Sequence, residues 1–475
     1  MKKLFVILSG LVMMACSAPK SDNPFPELKW VDEVGAKSYP AATAVFVAND
    51  YEGVVGDALT MCTEGIQKAI DDCAAAGGGV VTFRPGVYLT GSLFVKSNVD
   101  FNVPKGTTLI ASQDLADYEK IHTRVAGIEM TWPAAIINIV EAENAAISGT
   151  GTINGRGKPF WDKYWSMRRD DYEPRGLRWA VDYDCERPRG ILVQDCKNVT
   201  VKDIVLYQPG FWSLHVLYSQ FVTVDNVIIS NNIEGRGPST DGIDIDSSSD
   251  VLVQNCNINC NDDNFCLKAG RDYDGLRVNR PCERVVIRNC ESGHGGGLIT
   301  CGSETSGMIR DIVAYNLKAK GTGNGLRLKS TTIRGGGVQN IYMANVEMDG
   351  VRQPFAADLN WNPSYSYSVL PEEYEGKEIP EHWYTLLGEV DPEQGIPVLG
   401  DFYLKNITAV NAGTCVSVIG IEESQIDNVR LENVKISGRT AGAVTWSNNW
   451  TLDNVEITAE DGSSVEVSDC TNVSF

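Results

Sequence analysis

Three aspartates, a histidine and an arginine–lysine pair stand in four short polar clusters between residues 239 and 329. The clusters are S-T-D ending at Asp241, D-D at Asp262 and Asp263, G-H-G around His294, and R-L-K from Arg327 to Lys329. Each abuts a strand-like run whose first large apolar residue is Ile243, Phe265, Leu298 or Leu326, at intervals of 22, 33 and 28 residues. If those intervals are coils of a solenoid, the six side chains share one patch. Such a patch suits acid–base hydrolysis of an acidic polymer, with carboxylates to activate water and protonate a leaving oxygen, and cations to receive a substrate anion.

The spacing assigns roles. Asp241 lies two residues before Ile243 and Asp263 two before Phe265, so both occupy one position in successive coils, about 4.8 Å apart. Two carboxylates so placed can hold a water and act on it as a general base. A kinked turn at the D-D step would send Asp262 to the far side of a bound glycosidic oxygen. There, neighbouring negative charge raises its pKa, as a general acid requires. His294, set among glycines that let a ligand or backbone come close, is expected to hydrogen-bond Asp262; a purely structural histidine in a glycine-rich turn is the alternative. Arg327 and Lys329, two apart on a strand, face one way as a receiver for a carboxylate. Lys268, Arg271 and Glu304 complete the candidate substrate-binding set. Thirteen cysteines without a C-x-x-C pair indicate no metal site, and nothing calls for a cofactor.

These residues need a scaffold. One helix is signalled where Ile66, Ala69, Ile70 and Cys73 fall at i, i+3, i+4 and i+7, with Gly77 to Gly79 ending it. It is expected to cap a solenoid. Beyond it the pattern turns to short β-type runs, and helical periodicity does not return. A polar residue recurs at one phase, at Asp203, Asn226, Asn255, Asn289, Asn316, Asn345, Asn411, Asn433 and Asn454. Repeats of about 20–35 residues with short strands and no helix indicate an all-β parallel β-helix, since one coil cannot bury its apolar face alone. The asparagines are read as an internal ladder of amides at the turns. Cys256 and Cys290, each following an asparagine of that series, are read as packing in a buried stack. Two interruptions, 158–186 and 351–400, are rich in Trp and Tyr. They are candidates for cleft walls, with shielding of the core as the alternative for any one ring.

The formal net charge of −21 argues against nucleic acid and a polybasic membrane surface. It is unevenly spread: residues 262–334 carry 12 Lys and Arg against 8 Asp and Glu, or +4, and the rest carries 29 against 54, or −25. The positive surplus lies on the segment with three of the four clusters. Residues 1–15 have the form of a secretory signal ending in Met13-Met14-Ala15-Cys16, like a bacterial lipobox. This predicts cleavage before Cys16, lipid attachment to it, a tether over 16–27 and a catalytic domain over 28–475. The protein is then expected to act as a monomer in the cell envelope, touching membrane only through that anchor.

Together the motifs S-T-D-G-I-D, N-D-D-N-F-C-L-K, G-H-G-G-G and G-L-R-L-K-S resemble family 28 of the glycoside hydrolases, the polygalacturonases, and the similarity extends back through A-A-A-G-G-G-V-V-T-F-R-P-G-V-Y-L-T-G from Ala74 to Gly91. The resemblance implies a single-stranded right-handed β-helix and inverting hydrolysis of pectic poly- or oligosaccharides. It also implies Asp262 as acid, Asp241 and Asp263 as bases, His294 as an assisting residue, and Arg327 with Lys329 as carboxylate binders. Ser239 replaces the motif asparagine, and Asn264 stands where many relatives have cysteine. The runs G-S-E-T-S-G from Gly302 and R-G-G-G from Arg334 resemble exo-acting bacterial members. A calcium-dependent β-helical pectate lyase and a non-catalytic glycan-binding β-helix are the competing expectations.

Overall fold

The computed structural model describes residues 22–475 apart from 233 and 234. The signal segment and Cys16 lie outside the described residues. The chain forms a right-handed parallel β-helix whose coils each contribute two or three short strands to one continuous parallel arrangement. Along each strand alternate side chains point inward, so apolar residues of equal phase stack from coil to coil. Leu214, Ile243, Phe265, Ile299, Leu326 and Phe355 form one such row in strict register, all buried. The third coil thus aligns on Ile299, not Leu298 as the sequence spacing suggested. Leu298 lies one residue earlier, where its carbonyl accepts from the Phe265 amide.

The asparagine ladder exists, but on the outside. Asn255, Asn289, Asn316, Asn345, Asn433 and Asn454 all have φ between 52° and 57°, the left-handed conformation that asparagine tolerates better than other residues with a side chain. Their amides bond along the exposed turn edge, Asn316 to Asn289 at 3.1 Å and Asn345 to Asn316 at 3.0 Å. The next rung is Asn406, which bonds Asn345 at 3.1 Å, while Asn411 bonds Asp349 on a neighbouring row. The left-handed bend turns the following residue inward. Cys256 and Cys290 therefore meet in the core, with the Cys256 amide 3.4 Å from the Cys290 sulfur.

The helix Thr63–Ala75 closes the N-terminal end, with Ile66, Ala69, Ile70 and Cys73 fully buried. Both interruptions leave the solenoid and do contain helix, in short pieces such as Lys158–Ser166 and Glu381–Leu386. A hairpin, Lys120–Val125 with Ile128–Pro133, leaves it too and is antiparallel. These three excursions share one apolar cluster, including Val125, Trp132, Trp179, Tyr183, Phe211 and Trp383. Polar contacts tie the two interruptions directly: Asp184 accepts from the Trp383 indole at 3.0 Å and meets the His382 ring at 2.5 Å.

The chain ahead of the helix is also docked. Phe25 is fully buried against Tyr342 and Tyr403 on the outer face of the solenoid, and Lys405 donates to the Pro24 carbonyl at 2.7 Å. Packing therefore begins before residue 28, within the stretch read from sequence as a tether.

Candidate active site

The strands Ile243–Asp246 and Phe265–Lys268 pair in parallel, with Ile243 opposite Phe265. The residues before them continue the register, since the Gly242 amide donates to the Asp263 carbonyl at 2.9 Å. Asp241 and Asp263 thus hold equivalent places on adjacent coils, as the spacing predicted. Asp262, Asp241 and Asp263 bring one carboxylate oxygen each to within 4.8 Å of one another. The Asp262 carbonyl is fixed by the Gly296 amide at 2.7 Å. The glycine run behind it has a steric cause: a Cβ on Gly296 would stand 2.7 Å from Asp263 Oδ1, and one on Gly295 2.4 Å from Asn264 Nδ2.

Arg327 and Lys329 lie on Asn324–Lys329 and do point the same way. Both reach Asp263: Arg327 Nη1 donates to Oδ1 at 3.1 Å and Lys329 Nζ to Oδ2 at 2.8 Å. Trp361, from the second interruption, covers them, with its ring 4.5 Å from the lysine nitrogen. Burial alone would raise Asp263, but these two cations overcome it and hold the carboxyl well below the ordinary range. Asp262 moves the other way, raised by burial and then by the Asp263 charge. Asp241 is pushed well above the ordinary range by burial, then by Asp244 and Asp262. Environment thus divides three like groups into one held ionised and two pushed toward their protonated forms.

Of the other expected site residues, Lys268 and Glu304 line the same cleft, whereas Arg271 and His294 do not. Lys268 is buried among carboxylates, 3.3 Å from Glu304, 3.6 Å from Asp244 and 3.7 Å from Asp241. It serves the floor of the cleft. Glu304, which lines the cleft beside it, is brought down to about 2: burial raises it, and Lys268 and Arg334 more than reverse that. Arg271 does not reach the cleft lining. It donates to Asp272 at 3.0 Å, the Tyr183 hydroxyl at 2.8 Å and the carbonyls of Tyr365 and Ser366 at 2.8 and 3.2 Å. It is a clamp joining the solenoid to both interruptions. The His294 side chain is exposed and, among the described residues, makes no hydrogen bond to Asp262. The expected tuning contact is absent because the ring projects from the turn beside Gly321.

The cleft has a volume of about 420 Å³ and is strongly polar. Its walls include Arg168, Arg178, Arg236 and Arg352, cations that sequence reasoning missed because they lie outside the coil repeat and carry no repeat phase. Of the interruption aromatics, Trp361 and Tyr365 line the cleft, whereas Trp161 and Trp179 are buried supports. Two acidic groups have metal-compatible spacing, Asp241–Asp244–Cys266 and Asp241–Asp262–Asp263. In both, fixed cations already face the carboxylates, Lys268 in the first and Arg327 with Lys329 in the second. Asp263 is therefore already bonded to ammonium and guanidinium groups, and Asp241 and Asp244 lie 3.7 and 3.6 Å from the Lys268 ammonium.

The sequence pattern of glycosyl hydrolases family 28 matches residues 96–369. The chain belongs to that family. As a family 28 member it is a glycoside hydrolase. It is 24% identical over 456 residues to the exo-poly-alpha-D-galacturonosidase of Dickeya chrysanthemi, covering 86% of this chain and 74% of that protein. It is 28% identical over 408 residues to an endo-polygalacturonase of Pectobacterium parmentieri, covering 83% and 87%. The crystal structure of a hyperthermoactive exopolygalacturonase from Thermotoga maritima shares the family 28 fold, with a TM-score of 0.77, 24% identity and coverage of 90% of this chain and 96% of that one.

Proposed function

We propose that this hydrolase cleaves α-linked galacturonic acid from pectic chains, acting from a chain end and with inversion. The observation that carries the reading is Asp262 set beside Asp241 and Asp263, with Arg327 and Lys329 at the same place to receive a sugar carboxylate. Asp262, kept protonated by burial and by its anionic neighbour, donates to the leaving oxygen. Water held between Asp241 and Asp263 attacks the anomeric carbon, and Asp241, the more basic of the two, takes the proton.

The carboxyl separation is shorter than the ~6.5–9.5 Å usual for inverting enzymes. Inversion is nevertheless the better reading, because a retaining route needs a free nucleophilic carboxylate. Both Asp263 oxygens are tied to cations, and Asp241 already faces Lys268 at 3.7 Å. Exo action is supported by the two interruptions, which both supply walls of the cleft, Arg168 and Arg178 from one and Trp361 and Tyr365 from the other, and are tied together through Asp184, His382 and Trp383. Sequence similarity to an exo-acting relative points the same way. The N-terminal lipobox-like run supports export and anchoring at Cys16.

The test is product analysis on defined galacturonan oligomers, with proton NMR of the first anomer released. Monomer from the earliest time point in the inverted configuration is expected. Mixed product sizes would defeat exo action, and the retained anomer would defeat the water-attack mechanism.

A further inference from the structure

We propose that Arg168, Arg178 and Arg236 form a second carboxylate-binding subsite, which holds a uronate on the opposite side of the scissile bond from Arg327 and Lys329. The inference rests on the reading that the substrate is a galacturonide and names a second acidic unit that it must carry. Along the solenoid axis, Arg236 immediately precedes the coil of Asp241, whereas Arg327 and Arg352 lie in coils after Asp262 and Asp263. Arg168 and Arg178 come from the first interruption, which packs on the Arg236 loop. There the Trp165 indole donates to the Arg236 carbonyl at 2.7 Å, and Ser239 donates to Asp182 at 3.0 Å. The three aspartates therefore stand between two groups of cations, and both groups line one cleft.

The first group has unspent positive charge. Arg178 pairs with Asp182 at 2.7 Å, but Asp182 also serves Arg187 at 3.3 Å. Arg168 gives its Nε to Glu173, at 2.6 Å, and its terminal amines make no hydrogen bond among the described residues. Arg236 makes no ion pair with a described residue and sits 5.3 Å from the Trp165 ring centre, with Arg168 5.5 Å from the same ring. An aromatic face orients guanidinium groups without neutralising them. Like charges gathered on one wall repel until an anion joins them, and the guanidinium fork fits a planar carboxylate.

The test uses the full chain carrying Asp262→Asn, to stop turnover, and calorimetric binding of digalacturonate and of its two analogues with one or the other carboxylate reduced to the alcohol. Each reduction should weaken binding at least about tenfold. Adding Arg168→Gln and Arg236→Gln should make one reduction cease to matter while the other keeps its full effect, which also shows that the variant is folded. If both reductions keep their full effect in that variant, or if neither matters in the parent, the subsite is overturned. Release of galacturonate by the wild type is followed separately. Binding in the expected pattern without release sinks the hydrolytic reading alone, whereas release with no effect of the arginine changes sinks the subsite alone. No binding at all overturns both.

Discussion

Replacing Arg271 with methionine separates two roles that a cation near an acidic substrate could have. The side chain is fully buried and gives up four hydrogen bonds: to Asp272, to the Tyr183 hydroxyl and to the carbonyls of Tyr365 and Ser366. Asp272 is not stranded, since Arg334 still pairs with it. The cost therefore sits at the low end of that for breaking a buried ion pair, about 3 kcal/mol. It falls on the docking of Tyr365 and Ser366 against the coil, so the undocked population should rise roughly 100-fold. When opening and closing are fast, cleavage by an added protease tracks that population. Thermolysin should then cut between residues 351 and 400 roughly 100-fold faster, and kcat/KM should fall mainly through KM as Trp361 and Tyr365 lose their position. Unchanged proteolysis together with a loss of substrate affinity as large as that of Arg327→Gln would refute the clamp and restore Arg271 as a ligand.

Three further outcomes follow from the site. Asp241 as base and Asp262 as acid are both raised. Activity should rise with pH as Asp241 ionises and fall as Asp262 ionises, with both limbs of the kcat/KM profile above the free aspartate value of 3.8; an acidic limb below it would make Asp263 the titrating base. Asp244, raised from 3.8 to about 8 mainly by burial, has neither carboxylate oxygen hydrogen-bonded among the described residues. Ionising it costs stability that grows from its unfolded value up to about pH 8, so Asp244→Asn should raise Tm over the parent increasingly between acidic and mildly alkaline pH. A flat difference across that range would contradict this. Gly296→Ala should cut kcat by tenfold or more while the circular dichroism melt changes little, since the new methyl displaces Asp263 Oδ1; wild-type kcat would show that the close approach is dispensable.

The sequence revealed what repeats. Inward apolar rows, left-handed asparagines and motif aspartates recur once per coil, so their phase could be counted. Register alone carries Asp241 and Asp263 to neighbouring places. The pattern misleads where the phase is broken or a residue's partners come from elsewhere. Leu298 stands in for Ile299 because the glycines after His294 blur the start of the strand. Asn411 stands in for Asn406 because the interruption hides which turn comes next. Arg271 looked like a free cation because Tyr183, Tyr365 and Ser366 are remote in sequence. The hairpin at 120–133 and the arginines of the cleft walls carried no periodic signal at all. Trp161 and Trp179 looked as suitable for sugar stacking as Trp361, and only tertiary packing distinguishes support from surface.

The bonds from Arg327 and Lys329 to Asp263 put an internal carboxylate on the two cations proposed to receive the sugar's. An arriving sugar carboxylate must share those two cations with it. In the proposed mechanism every bit of positive charge drawn toward the substrate is withdrawn from Asp263, whose fuller negative charge then holds the proton on Asp262 more firmly. A neutral sugar of the same shape would leave the internal pair intact. Charge recognition and reactivity are in this way wired in series, so that the substrate's own anion helps to arm the group that works on it.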